Sequence, residues 1–177
     1  MSIHFHKHEH DPTWSMVAYN PLSVRQTHRL RDIFDELGRN DVVVLCGTRE
    51  PANDLPVRAF AVRGHQVWSR GAANAAYSNM CAGVQIGLRR KRIGAHQVVQ
   101  VHSPPAALQG RAGALRVKQG NVDFCFIAAY VPPNPDSVKA KFVCRQVWKW
   151  ISELISSLPH RCMPIVALDA NGKTGLC

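Results

Sequence analysis

The stretch Met163-Pro164-Ile165-Val166-Ala167-Leu168-Asp169-Ala170-Asn171 carries the strongest fold signal in the chain. Its apolar part predicts a buried strand over 164–168, and two polar residues, Asp169 and Asn171, follow at the point where that strand ends. In α/β proteins, ligands bind at the carboxyl ends of the strands. The stretch therefore predicts a sheet with a carboxylate and a carboxamide at its ligand-binding edge.

Two amphipathic helices and a series of strands precede this stretch. Apolar residues at helical spacing predict helices over 24–38 and 139–158. A continuous apolar run predicts a strand over 41–47 that is buried on both faces. Further strands are predicted over residues 14–20, 58–62, 66–68, 83–88, 98–101, 113–117 and 122–129, with an irregular loop over 72–79. This order of elements indicates a mixed α/β (α+β) fold without a strict βαβ repeat.

The composition favours a folded, basic protein. Hydrophobic residues make up 46% of the 177 residues, and the net charge is +10, from 22 Lys and Arg against 12 Asp and Glu. Such a charge favours an anionic partner, of which nucleic acid is the first candidate. The polar N-terminus and the lack of an apolar run near ~18–20 residues predict an intracellular protein, nuclear or cytoplasmic, with no membrane partner. The six cysteines form no Cys-x-x-Cys pair, which argues against a structural zinc site.

The chain divides into a short leader and one domain. Residues 1–13 are predicted to form a flexible His-rich leader, and residues 14–177 the domain. His4, His6, His8 and His10 alternate with other residues and would share one face of a strand, where they could bind a transition metal. The alternative is a flexible tail with adventitious metal affinity.

Polar residues follow several of the predicted strands and could point into one cleft. These residues are Asn20, Glu50, Tyr130, Asp169 and Asn171. Carboxylate oxygens are preferred ligands of Mg²⁺, and a bound ion neutralises developing phosphate charge and activates water. Amides and a phenol can position a phosphate and its attacking nucleophile. The set as a whole therefore favours metal-assisted cleavage of a phosphoester.

Five short motifs in this order resemble the successive signatures of the endonuclease/exonuclease/phosphatase superfamily. That superfamily includes the apurinic endonucleases, DNase I and the endonuclease domains of non-LTR retrotransposons. The motifs are Ala18-Tyr19-Asn20, Cys46-Gly47-Thr48-Arg49-Glu50, Gly83-Val84-Gln85-Ile86, Ala128-Ala129-Tyr130-Val131-Pro132-Pro133 and Leu168-Asp169-Ala170-Asn171-Gly172.

The resemblance implies a fold, a cofactor and a role for each polar residue. It implies a two-sheet DNase I-like sandwich flanked by helices, with Mg²⁺ or Mn²⁺ as cofactor. Glu50 matches the metal-binding Glu, and Asn20 matches the Asn beside that metal. Tyr130 matches the Tyr that contacts the scissile phosphate. Asp169 matches the Asp that aligns or deprotonates the attacking water, and Asn171 matches its phosphate-binding partner.

The sequence also departs from the superfamily pattern. Arg49 stands where a Gln usually precedes the metal-binding Glu, and Leu168 stands where a Gly usually precedes the Asp. The superfamily pattern continues after the Asp-x-Asn motif with further strands and an essential His, and no His follows His160 in this sequence. We therefore expect a partial domain that lacks its last strands and has little or no hydrolytic activity as it stands.

Other functions remain open at this level. The basic run Arg89, Arg90, Lys91 and Arg92 favours a nucleic-acid-binding surface, with DNA preferred over RNA; the alternative is a solvated hairpin turn. A non-catalytic nucleic-acid-binding remnant of a retrotransposon endonuclease, or a phosphatase of the same superfamily, would also fit. Residues 167–174 fit a loose phosphate-binding-loop pattern, but the helix that such a loop requires is absent.

Overall fold

The structure is a computed structural model that describes residues 2–5, 13–51, 55–71, 82–133 and 137–171. Within these ranges the chain forms ten strands and two α-helices. The strands are β1 (Ser2–Phe5), β2 (Trp14–Tyr19), β3 (Val42–Cys46), β4 (Arg58–Val62), β5 (His65–Arg70), β6 (Val84–Arg89), β7 (Val98–His102), β8 (Ala112–Gln119), β9 (Val122–Tyr130) and β10 (Met163–Asp169). The helices are α1 (Thr27–Leu37) and α2 (Val138–Ser157), and no described helix is both long and apolar enough to cross a bilayer.

The strands form two sheets. The first has the order β1-β2-β3-β6-β5-β4, in which β2 and β3 are parallel and the other neighbours are antiparallel. The second has the order β10-β9-β8-β7, in which β10 and β9 are parallel and the other neighbours are antiparallel. This arrangement confirms the predicted two-sheet α/β sandwich flanked by helices.

Apolar side chains from both sheets fill the space between them. Val44 and Ile86 of the first sheet belong to the same core as Leu115 and Phe126 of the second, and all four are essentially inaccessible to solvent. Trp14 stacks on Phe126 with 6.0 Å between the ring centroids. The two sheets are therefore held face to face by a continuous hydrophobic core.

Each helix covers the outer face of one sheet. Phe34 of α1 packs with Leu45 and Val67 on the first sheet. Val147 and Ile151 of α2 belong to the core on the outer face of the second sheet. The apolar spacing that predicts each helix is thus the same spacing that buries one of its faces.

Two elements differ from the sequence predictions, and the other predicted strands within the described ranges are confirmed. Ser2–Phe5, part of the predicted flexible leader, forms β1 and pairs with the free edge of β2, which supplies the backbone hydrogen bonds. Helix α1 begins at Thr27 instead of residue 24, because the Val24 N–H donates to Thr48 O and holds this part of the chain extended. The predicted loop over 72–79 lies outside the described residues.

Candidate active site

A hydrogen bond between Asn20 and Asp169 joins the two sheets at one end of the sandwich. Asn20 follows β2 of the first sheet, and Asp169 is the last residue of β10 in the second sheet. Asn20 Nδ2 donates to Asp169 Oδ2, while Asn20 Oδ1 accepts from the Leu22 N–H at 2.8 Å. The strand ends of the two sheets therefore meet at this point, and both ends of the Asn20 amide are fixed.

Asp169 and Asn171 form a compact turn beyond β10. The Asn171 N–H donates to Asp169 Oδ1 at 3.1 Å, and Asn171 Nδ2 donates to Val131 O at 2.8 Å. Asn171 has a φ of 44°, in the left-handed region that Asn tolerates better than most residues. Both oxygens of the Asp169 carboxylate thus accept a hydrogen bond, and its orientation is defined.

Tyr130 completes what we call the Asp169 cluster, which consists of Asn20, Tyr130, Asp169 and Asn171. Tyr130 pairs in register with Asp169 on the neighbouring strand, and only 5% of its surface is exposed. A Cβ on Gly47 would lie 2.8 Å from Asn20 Oδ1 and 3.0 Å from Tyr130 Cε2. Gly47 also has a φ of 82°, so this position requires glycine for both space and conformation.

Glu50 lies in a second group of side chains, the Glu50 cluster, formed with Arg58, Ser69 and Gln85. Ser69 Oγ and Gln85 Nε2 both donate to Glu50 Oε2, the latter at 2.8 Å. Arg58 Nη2 lies 3.0 Å from Glu50 Oε1. The three donors lie on the adjacent strands β4, β5 and β6, where Arg58 pairs with Ser69 and Ser69 pairs with Gln85.

The turn after β3 directs Glu50 toward these strands. Gly47 and Thr48 donate their N–H groups to Gly83 O at 2.9 and 3.1 Å, and Arg49 donates to Ala82 O at 2.7 Å. Arg49 has a φ of 55°, which turns the chain sharply before Glu50. Within the described contacts, no hydrogen bond joins Glu50 to the Asp169 cluster.

Cys46 lies below the Asp169 cluster, at the end of β3. Its Sγ is 3.9 Å from Ala167 O, and the residue is buried. Burial raises the pKa of the Cys46 thiol to about 12. Cys46 is therefore a neutral packing residue, since the thiolate is the nucleophilic form.

Comparison with known proteins gives a match at the level of structure. No protein-family model matches the sequence, and no curated protein matches it either. The structure of D. rerio TDP2 complexed with single-strand DNA product has a TM-score of 0.60 and 16% identity, and the match covers 92% of this chain and 62% of that one. An AP endonuclease from Archaeoglobus fulgidus has a TM-score of 0.59 and 16% identity, covering 87% of this chain and 56% of that one.

A third similar structure is the endonuclease domain of TRAS1, a telomere-specific non-LTR retrotransposon. Its TM-score is 0.51 with 12% identity, and the match covers 91% of this chain and 60% of that one. The chain has the DNase I-like fold. It spans about three fifths of the length of the solved structures that it matches.

The DNase I-like fold brings four of the five predicted site residues together and places the fifth beside them. Asn20, Tyr130, Asp169 and Asn171 form one cluster, and Glu50 lies in the adjoining one. The structure places the basic run elsewhere. Because β6 is antiparallel to β3, Arg89 at the end of β6 pairs with His65, at the opposite end of the sheet from Glu50.

Two arginines of this run contact the protein itself. Arg89 Nη1 donates to Arg39 O at 3.2 Å, and Arg92 Nη2 donates to Thr13 O at 3.0 Å. Arg92 Nε also lies 3.4 Å from the Asp41 carboxylate. Part of the run therefore stabilises the end of the sandwich that is remote from both clusters.

Several residues of the site have no role assigned to them from the sequence, although Gly47 and Gln85 lie within its motifs. Arg111 lies with its guanidinium carbon 5.5 Å from the centre of the Tyr130 ring. Ser69 and Gln85 are buried polar residues, and Gln85 interrupts the apolar start of β6, which was the available signal for that residue. Gly47 could have been found as a glycine directly after a buried strand.

Oxygen atoms in and beside the Glu50 cluster are chemically suited to bind a hard divalent cation. Thr48 Oγ1 and Gln85 Oε1 are buried near Glu50 and have no hydrogen-bond partner among the described residues. Arg58, which holds Oε1, has a side chain that is 46% exposed, so this oxygen faces the solvent side of the cluster. The described residues contain no group of three His, Cys, Asp or Glu side chains that could hold a metal. The fit to such a cation therefore rests on the chemistry of the oxygen atoms of Glu50, Thr48 and Gln85, of which Glu50 supplies the carboxylate.

Proposed function

We propose that this chain carries the active site of a phosphodiesterase of the nuclease type, with DNA as its substrate and Mg²⁺ or Mn²⁺ as its cofactor. The observation behind the proposal is the convergence of Asn20, Tyr130, Asp169 and Asn171 at one end of a DNase I-like sandwich. The net charge of +10 and the likeness to TDP2 with a single-strand DNA product support nucleic acid as the substrate class.

Each residue of the Asp169 cluster has a role that its contacts support. Asp169 accepts from the Asn20 amide and from the Asn171 N–H, so its carboxylate is oriented to accept a hydrogen bond from an attacking water as well. The amide of Asn171 and the phenol of Tyr130 are the donors that would position the scissile phosphate. Preorganised donors of this kind stabilise developing charge without reorganisation during the reaction.

Glu50 and Asn20 are the residues that would hold the cation. When bound, a divalent cation supplies neutralisation of phosphate charge and activation of water. Ser69 and Gln85 fix Glu50 Oε2 from the buried side, so a ligand would have to replace the contact between the exposed Arg58 and Oε1. The oxygen chemistry of this set is the kind that Mg²⁺ and Mn²⁺ prefer.

The test combines cleavage with a direct measurement of metal binding. Labelled single-stranded DNA and duplex DNA with an abasic-site analogue are incubated with the chain in Mg²⁺ or Mn²⁺. We expect Asp169→Asn to lower whatever cleavage rate the partial domain retains, by up to ~10²–10⁴-fold, because a positioned acid or base contributes that much. We expect Glu50→Gln to weaken Mn²⁺ binding at least ~10-fold in titration calorimetry, since even groups that only support a metal ligand contribute that much.

The matched control is Asp35→Asn. Asp35 is an exposed carboxylate paired with Arg63 on the outside of the sandwich, so its loss removes the same charge away from both clusters. Cleavage that persists in chelator and in both site variants would contradict the proposal. Hydrolysis of a small phosphate monoester, with no cleavage of DNA, would favour a phosphatase instead.

A second candidate is a non-catalytic nucleic-acid-binding protein descended from a retrotransposon endonuclease. The observation that favours it is that both oxygens of the Glu50 carboxylate already accept from protein donors. The likeness to the endonuclease domain of TRAS1 supports that descent. Salt-sensitive DNA binding that a chelator leaves unchanged, without any cleavage, would favour this candidate over the enzyme.

A further inference from the structure

A groove of about 670 Å³ runs beside Glu50, between α1 and the edge strand β4. Its apolar floor includes Val24, Leu30 and Phe60. The direction of β4 fixes the direction of the groove. Arg58 pairs with Ser69 at the Glu50 end, and Val62 pairs with His65 at the opposite end. The groove therefore leads away from the candidate active site along the outer face of the first sheet.

Three arginines line this groove. Arg25, Arg31 and Arg58 are exposed, and Glu50 is the one acidic residue among the described lining. Arg25 Nε donates to Arg49 O at 3.0 Å, which fixes this guanidinium at the mouth of the groove. Three positive side chains along one groove create a local field that attracts an anionic chain. Their charges do not depend on the basic run at the far end of the sheet.

The groove also offers flat surfaces. The guanidinium carbon of Arg58 lies 4.6 Å from the centre of the Phe60 ring. A guanidinium plane and an aromatic ring are the surfaces on which unpaired bases stack. A groove of this volume falls within the range of ~300–1,000 Å³ that is typical of sites for small ligands, which suits nucleotide-sized groups.

We propose that this groove binds a single-stranded segment of nucleic acid adjacent to the scissile phosphate. The segment would place its phosphates against Arg25 and Arg31 and a base against the surface formed by Arg58 and Phe60. This inference rests on the proposed function in one respect, which is the position of the bound segment next to the scissile phosphate. The binding itself depends only on the groove, and binding and cleavage can therefore fail separately.

The experiment measures binding of fluorescein-labelled oligothymidylate to the full chain by anisotropy, in EDTA, over a series of salt concentrations. For Arg31→Ala we expect the slope of log K against log salt to fall by about 0.7, the value for loss of one phosphate contact to a single strand. For Phe60→Leu we expect affinity to fall ~5-fold or more, because a stacked base contributes that much.

Arg145→Ala is the matched control. Arg145 is an equally exposed arginine on α2, the helix that covers the second sheet, and it lies outside the groove, both clusters and the basic run. We expect this variant to leave both affinity and salt slope unchanged. Phe60 is partly buried, so thermal unfolding of Phe60→Leu is measured alongside; Arg31→Ala changes only an exposed side chain and tests the groove independently of folding.

Each outcome decides the matter. A loss of affinity in both groove variants, with Arg145→Ala unchanged, supports the proposal. Equal losses in Arg31→Ala and Arg145→Ala, or no loss in Arg31→Ala, would overturn it, because binding would then follow overall charge or another surface. Loss of binding without loss of metal-dependent cleavage of a minimal substrate would leave the proposed function standing and remove only its extension along the groove.

Discussion

Asp123 should contribute stability that disappears in acid. This carboxylate lies near the start of β9 and is 4% exposed. Arg116 donates to it through both Nε and Nη2, at 2.9 and 2.7 Å, and Arg161 Nε lies 3.4 Å away. Such a bidentate pair is among the stronger charge-assisted hydrogen bonds. The hydrogen bonds from Arg116 lower the pKa of Asp123 from 3.8 to about 2.

The sign and size of the effect follow from that pKa. Because the folded value is the lower one, the contribution is fully present above pH ~4 and is lost as the pH falls toward ~2. A shift of this size corresponds to about 2 kcal/mol, since one pKa unit is worth about 1.4 kcal/mol. Asp123→Asn should therefore lower the free energy of unfolding by about 2 kcal/mol at pH 7, and the difference should shrink as Asp123 in the parent protein becomes protonated.

Urea unfolding followed by circular dichroism, from pH 7 down to the lowest pH at which the chain is folded, measures this difference directly. Asp35→Asn is the comparison, because Asp35 forms an ion pair with Arg63 in which each side chain is about half exposed. That substitution should change the free energy of unfolding by less than ~1 kcal/mol. A difference for Asp123→Asn that is absent at pH 7, or that stays constant below pH 4, would refute the reasoning.

Three further predictions concern the core and the site. Gly83→Ala should destabilise the protein by ~1–3 kcal/mol in urea unfolding, because the new Cβ would lie 2.2 Å from Thr48 Oγ1 at a φ of 110°. Gly120→Ala, at positive φ but in open space, should cost less. Phe34→Ala should cost ~3–5 kcal/mol by the same assay, since Phe34 is 1% exposed beneath α1. Cys46 should resist alkylation at pH 8 in the folded protein, because burial raises its pKa to about 12, and peptide mass mapping would reveal premature labelling.

The elements of this fold could be predicted from local patterns. The apolar run over Val42–Cys46 predicts a strand buried on both faces, and all five of its residues are buried. The apolar spacing within 139–158 predicts α2, whose buried residues include Val143, Val147 and Ile151. These signals are local because burial on one or both faces sets the spacing of apolar residues along the chain.

The partners of the site residues could not be predicted in the same way. Ser69 and Gln85 are 19 and 35 residues from Glu50 in sequence, and only the order β6-β5-β4 brings them to it. The remote position of Arg89–Arg92 likewise depends on β6 running antiparallel to β3. Strand order and direction are set by the packing of the whole core, and they cannot be predicted from a run of charged residues in the sequence.

The two oxygens of the Glu50 carboxylate lie in different environments, and this difference determines which of them a cation could bind. Ser69 and Gln85 are buried and hold Oε2, so breaking either contact would leave an unsatisfied polar group inside the protein. Arg58 holds Oε1 with a side chain that is 46% exposed, and solvent screening weakens such a pair. Releasing Oε1 therefore costs less than releasing Oε2, and the rest of the carboxylate stays fixed. In the proposed site, Oε1 is therefore the oxygen at which a cation would replace a protein contact.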